Sequence, residues 1–126
     1  MLLSDVRSFM KEKIECPQWY LNKIGSQKDQ SITIYNLPQK NQIAIGGSSC
    51  TSYAVKNISI LIHWGRVSDH AERKAQEIAE LFSHCRNEVV NDFELLMCKV
   101  NGPIYVGLDS EGIIEYVVEA AIHYRK

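Results

Sequence analysis

Ile113-Ile114-Glu115-Tyr116-Val117-Val118-Glu119-Ala120-Ala121-Ile122-His123-Tyr124 is the stretch that decides the fold. Its even positions, Ile114, Tyr116, Val118, Ala120, Ile122 and Tyr124, are apolar. Its odd positions include Glu115, Glu119 and His123, with Arg125 just beyond. One apolar face and one largely charged face, repeating every second residue, mark a half-buried antiparallel strand. Such a strand runs about 40 Å, whereas most strands have about five or six residues. A small domain seldom needs that length for its own core. The far end or outer face of the sheet is therefore expected to meet another body.

The 126 residues fit one domain, residues 1–126, and are enough to bury a real core. Hydrophobic residues make up 45% and charged residues 23%, as in ordinary globular proteins. The net charge of −1 argues against a broad attraction to nucleic acid or an anionic membrane surface. Cys16, Cys50, Cys85 and Cys98 are scattered, with no Cys-x-x-Cys pair, and read as free thiols in a reducing compartment. The N-terminus turns polar by Ser4-Asp5, unlike a signal peptide, and no apolar run reaches membrane-spanning length.

Working back from the final strand, Asp109-Ser110-Glu111-Gly112 has the residues of a type I turn. Ile104–Gly107 reads as extended, after an interruption at Asn101-Gly102-Pro103. Glu88–Val90 and Phe93–Lys99 form a hairpin about Asn91-Asp92. A helix is expected over Asp69–Arg86, capped by Ser68 or Asp69, with a stripe of Ala71, Ala75, Ile78, Phe82 and Cys85. Tyr53–Trp64 alternates as a strand. Ser31–Tyr35 and Gln42–Ile45 are expected to pair as a hairpin, after an extended Gln18–Gly25. The first element is a helix over Ser4–Glu15, capped by Ser4 and ended by Pro17, with Leu3, Val6, Phe9, Met10 and Ile14 inward. Bunched strands between two helices give an α+β fold, a mainly antiparallel β-sheet packed by two α-helices.

No catalytic constellation emerges. Cys50, after Gly46-Gly47-Ser48-Ser49, is the only loop thiol, and pairing it with His63 or His123 has no motif behind it. His70 and His84 stand about 21 Å apart along one helix, too far to share a metal ion. Glu115 and Glu119 are about 13 Å apart along a strand, wide for two carboxylates around one bond. The glycine pair lacks the lysine and following helix of a phosphate loop. The short basic groups Lys11, Lys13 and Arg73-Lys74 are interspersed with acids and make no nucleic-acid stripe. No cofactor or metal is expected.

The order Ile43-Ala44-Ile45-Gly46-Gly47, Ser52-Tyr53, Ile58–Trp64, the Ser68–Arg86 helix, the Gly102–Gly107 break and Glu115-Tyr116-Val117-Val118-Glu119-Ala120 resembles a phage family. It looks like the minor capsid proteins of tailed phages and prophages of Gram-positive bacteria. Their layout is similar to the tail terminator, or tail completion, proteins of long-tailed phages. The resemblance implies a structural, non-enzymatic subunit of the virion, assembled in the host bacterial cytoplasm. It implies a homo-oligomeric ring, commonly a hexamer, with the tail tube protein and the head–tail connector as partners. A head–tail joining or other tail-associated component is the neighbouring alternative. A small cysteine-dependent enzyme or ligand-binding domain is the distant one. The residues expected to make contacts are Gly46, Gly47, Ser48 and Ser49 at the strand break, Arg66 in a tight connection, and Glu115, Glu119, His123 and Arg125 on the charged strand face.

Overall fold

The computed structural model describes residues 1–22, 29–37 and 53–125. In chain order its elements are α1 (Leu3–Lys11), β1 (Trp19–Leu21), β2 (Gln30–Asn36), β3 (Tyr53–Trp64), α2 (Ser68–Ser83), β4 (Glu88–Val90), β5 (Phe93–Leu108) and β6 (Ile114–Arg125). The fold is α+β, as the sequence implies. The six strands form one curled, mixed sheet in the order β1-β2-β3-β6-β5-β4. All pairings are antiparallel except β1 with β2, which is parallel.

The alternation of the C-terminal stretch becomes β6, and β6 occupies the middle of the sheet. It pairs with β3 from Tyr53↔Arg125 to His63↔Glu115, and with β5 from Glu94↔Arg125 to Leu108↔Ile114. Its length is matched on both edges by strands of its own chain. Val118, Ala120 and Ile122 are buried on the same face as Ile58, Ile60 and Ile62 of β3 and Ile32 and Ile34 of β2.

Both helices close over that face. Ala71, Ala75, Ile78, Ala79, Phe82 and, just after α2, Cys85 are all buried. The small side chains of the alanines let the helix backbone approach the sheet closely. From α1, Leu3, Val6, Phe9 and Met10 join the core, and the Phe9 and Phe82 rings meet at 5.9 Å. The helix-free face of the sheet is more polar, though Ser31 and Thr33 are buried in it.

The helix ends differ from expectation in instructive ways. α1 begins at Leu3, with Leu2 as its cap, and Asp5 accepts the Leu2 N–H at 2.8 Å. Asp5 therefore supplies the acidic third position, and Ser4 is not the cap. The helix stops at Lys11, where the Met10 carbonyl accepts both the Lys13 N–H (3.0 Å) and the Ile14 N–H (2.8 Å), and Ile14 still packs inward. Val67, not Ser68 or Asp69, caps α2, and no side chain bonds the cap. α2 ends at Ser83, and Arg86 donates to the carbonyls of Ser83 (3.3 Å) and Cys85 (2.8 Å). Asn87, at φ +52°, turns the chain toward β4.

The hairpin at Asn91-Asp92 forms as expected, with Val90 opposite Phe93. β5 does not break at Asn101-Gly102-Pro103. It runs on to Leu108 with a register shift between Asn101 and Ile104, because a bulge takes up the extra residues against an uninterrupted β6. Gly102 sits there at φ +117°, and a Cβ on it would stand 2.9 Å from the Val117 carbonyl oxygen. The partner expected for β2, Gln42–Ile45, lies outside the described residues. Over Ile32–Ile34 both edges of β2 are occupied, by β1 and β3.

Phe82 joins the two helices and is fully buried. Phe82→Ala is expected to lower stability by about 3–5 kcal/mol in equilibrium urea unfolding, leaving a cavity under the sheet. A loss below about 1 kcal/mol would contradict this packing.

Candidate docking surfaces

Three regions carry chemistry that the core does not use. They are the row along β6, the open edge of β5, and a groove at the opposite edge of the sheet.

The row contains four of the residues singled out in the sequence, and strand parity places them together on the helix-free face. Each faces a partner from a neighbouring strand or turn. Glu115 Oε2 is 3.3 Å from Nδ1 of His63, whose Nε2 is 3.5 Å from Asp109 Oδ2. Asn101 donates to Glu119 Oε1 at 3.1 Å. His123 Nδ1 contacts the Tyr53 hydroxyl, with the rings 5.6 Å apart. Arg125 Nε donates to Glu94 Oε1 at 3.1 Å. Burial, and then Lys99, push the His123 imidazole below its usual range. These are cross-strand pairs of the kind that fix register.

Asp109 opens the turn between β5 and β6. Its carboxylate accepts the N–H groups of Ile113 (2.9 Å) and Glu111 (2.8 Å). Those bonds, with the charges of His63 and Arg66, hold its carboxyl below the ordinary range. Arg66 lies at the same end of the sheet, exposed, and pairs with Asp29 at 3.2 Å. Gly46, Gly47, Ser48, Ser49 and Cys50 lie outside the described residues. The two histidines considered as partners for Cys50 face carboxylates and a tyrosine. Cys85 and Cys98 are buried in the core, and burial pushes the half-buried Cys16 thiol up.

The second region was not singled out in the sequence. β4 covers the outer edge of β5 only over Phe93–Leu95. Among the described residues no strand pairs with that edge from Met97 to Leu108. Ile104, Tyr105, Val106 and Leu108 are 42%, 59%, 54% and 61% exposed. The signal was an apolar run, Ile104-Tyr105-Val106, too continuous for a strand with only one buried face. Tyr105 is steadied edge-on against Tyr116 at 5.5 Å.

The third region is a groove of about 580 Å³ beside the end of β3, opening toward β1. Trp64, Pro17 and Gln30 line it, and it continues past Cys16 and Trp19. Trp64 is almost buried, and Lys74 lies over its ring at 4.8 Å. No group of three or more potential metal ligands gathers among the described residues.

The family model described as bacteriophage tail terminator protein matches residues 4–126. No curated protein matches. One solved structure is similar with a TM-score of 0.50 and 15% identity, over 99% of this chain and 95% of that one. At that identity the likeness concerns the fold.

Asp109 gives this end of the sheet a pH dependence. A carboxyl held below its unfolded range stabilises the fold at neutral pH and loses that effect as pH falls through its folded value. Asp109→Ala should therefore be less stable than the parent at about pH 7, the gap narrowing below about pH 4. Chemical denaturation at both pH values reads this directly, and a gap unchanged by pH would refute it.

Proposed function

Because the chain belongs to the bacteriophage tail terminator family, a family of tail-associated structural proteins, we propose that it assembles into a ring on the head-proximal end of the phage tail. The ring closes the tube once its length is set and offers a face to the head–tail connector. The role is one of assembly in the host cytoplasm and residence in the virion, without turnover of a substrate.

The observation that carries this reading is the family match across nearly the whole chain. The surface supports it. Among the described residues the most exposed apolar cluster lies on a strand edge that no strand pairs with, where a partner can dock. The histidines of the helix-free face are engaged by neighbours of their own sheet, which suits structural use. Near-zero net charge lets copies sit side by side without strong repulsion. We assign Arg66 and the row Glu115, Glu119, His123 and Arg125 to the faces that meet neighbouring virion parts.

Sedimentation velocity and negative-stain imaging of the protein, alone and with tail tubes, are expected to show closed rings and capped tube ends. Deleting the gene is expected to leave overlong or unjoined tails. A strict monomer that ignores tubes would refute the reading. Normal-length finished tails beside filled, unattached heads would assign the chain to head–tail joining instead.

A further inference from the structure

The exposed end of β5 and the groove beside β1 have a geometric relation that points to how copies meet. β3 runs from Tyr53 up to Trp64, and β5 runs from Phe93 up to Leu108, both antiparallel to β6. Register fixes their levels. Ile104 pairs with Val117, Val117 with Leu61, Leu61 with Thr33, and Thr33 with Tyr20. The apolar run thus stands level with β1, and Leu108 stands level with the Trp64–Gln30 end where the groove opens. The two surfaces lie on opposite lateral edges of one curled sheet, about 19 Å apart across four strand spacings.

Resting on the ring reading above, we propose that the edge patch of Ile104, Tyr105, Val106 and Leu108 docks into the Pro17–Trp19–Trp64 groove of a second copy of this chain. Two unlike patches at opposite edges and one level make a head-to-tail contact, and such contacts form a ring with no patch left over when the rotation between copies closes. A two-fold dimer would need the same patch on both sides of its interface.

The area fits this occupant. At their exposures the four side chains leave on the order of 400 Å² of apolar surface uncovered, taking roughly 200 Å² for a large side chain. A standard interface covers about 800 Å² per partner, of which roughly 60% is apolar. The patch therefore supplies most of the apolar part of one side of a stable contact.

The β5 edge also shapes how the copies join. Pro103 lacks an N–H, and β5 shifts register at three places, Leu95/Met97, Asn101/Ile104 and Tyr105/Gly107. These features discourage unlimited strand-on-strand addition. Contact at this end falls to side chains inserted into a pocket, which selects one partner surface. The groove meets them with Trp64, whose ring is held by Lys74 at 4.8 Å, both lining it.

The test uses the full chain under ring-forming conditions. The Tyr105→Lys, Leu108→Lys double variant alters exposed positions and should keep the parent's circular dichroism and melting midpoint. It is expected to weaken assembly about 30-fold or more by sedimentation. In a Cys50→Ser background, Leu108→Cys should join native Cys16 of the neighbouring copy through a short bis-maleimide. A ladder up to the closed ring should appear on a denaturing gel, and Cys16→Ser should abolish it. This second variant keeps the question answerable if the lysines disturb folding. Rings that form normally with both lysines, or cross-links that persist without Cys16, would overturn the proposal. So would rings that assemble unchanged but no longer bind tail tubes, because the patch would then belong to the tube. If the unmodified chain makes no ring, the reading of function falls first, and that outcome is distinct from these.

Discussion

The double ladder on β6 is the constraint from which the rest of the structure follows. With β3 on one edge and β5 on the other, the strand has no free hydrogen-bonding edge over most of its length. Its side chains must then alternate strictly between the two faces of the sheet. Val118, Ala120 and Ile122 go to the helix side, and Glu115, Glu119 and His123 to the other. A slip of one residue would bury two glutamates under α2 and expose the core. The three alanines of α2 are the matching concession from the helix, since larger residues would lift it from the sheet.

Centring the sheet on β6 also decides where free surface remains. The inner strands are paired, the helix side is covered, and the row on the helix-free side is engaged across strands. Among the described residues, what is left uncovered is the periphery, namely the upper part of β5 and the groove by β1. In a protein of the tail terminator family, that division separates the residues that build the core from the surface left open to other phage components. Subunit stability can then be kept constant while contacts at the rim vary with the virion.

Much of this was legible in the sequence because it is local. Tyr53–Trp64 has the bounds of β3, the Ala71-to-Phe82 stripe lies under α2, and the Asn91-Asp92 hairpin forms as read. Period and turn chemistry need only neighbouring residues. Which strand lies beside which was not legible, since pairing β3 with β6 joins residues some 60 positions apart. Local signals also misled where the tertiary ladder overrode them. Gly102-Pro103 reads as a break, yet an intact β6 alongside carries β5 through it as a bulge. Ser68 and Asp69 are good caps by type, but the approach of the chain from β3 places Val67 there. At the candidate site, parity put Glu115, Glu119 and His123 on one face, while their partners His63, Asp109, Asn101 and Tyr53 come from elsewhere in the chain. The β5 edge was missed because apolar residues in a strand are read as interior, and exposure depends on what covers the strand.

The central place of β6 has a consequence during synthesis on the ribosome. Both flanking strands emerge before it, so the nascent chain carries β3 and β5 with no common partner until the final strand is made. Their apolar faces and hydrogen-bonding edges stay open during that interval, when association with other nascent chains is easiest. Folding must then close contacts that are long-range in sequence, and such topologies fold slowly. The fold is therefore complete only once β6 has been made, because both of its neighbours wait for it.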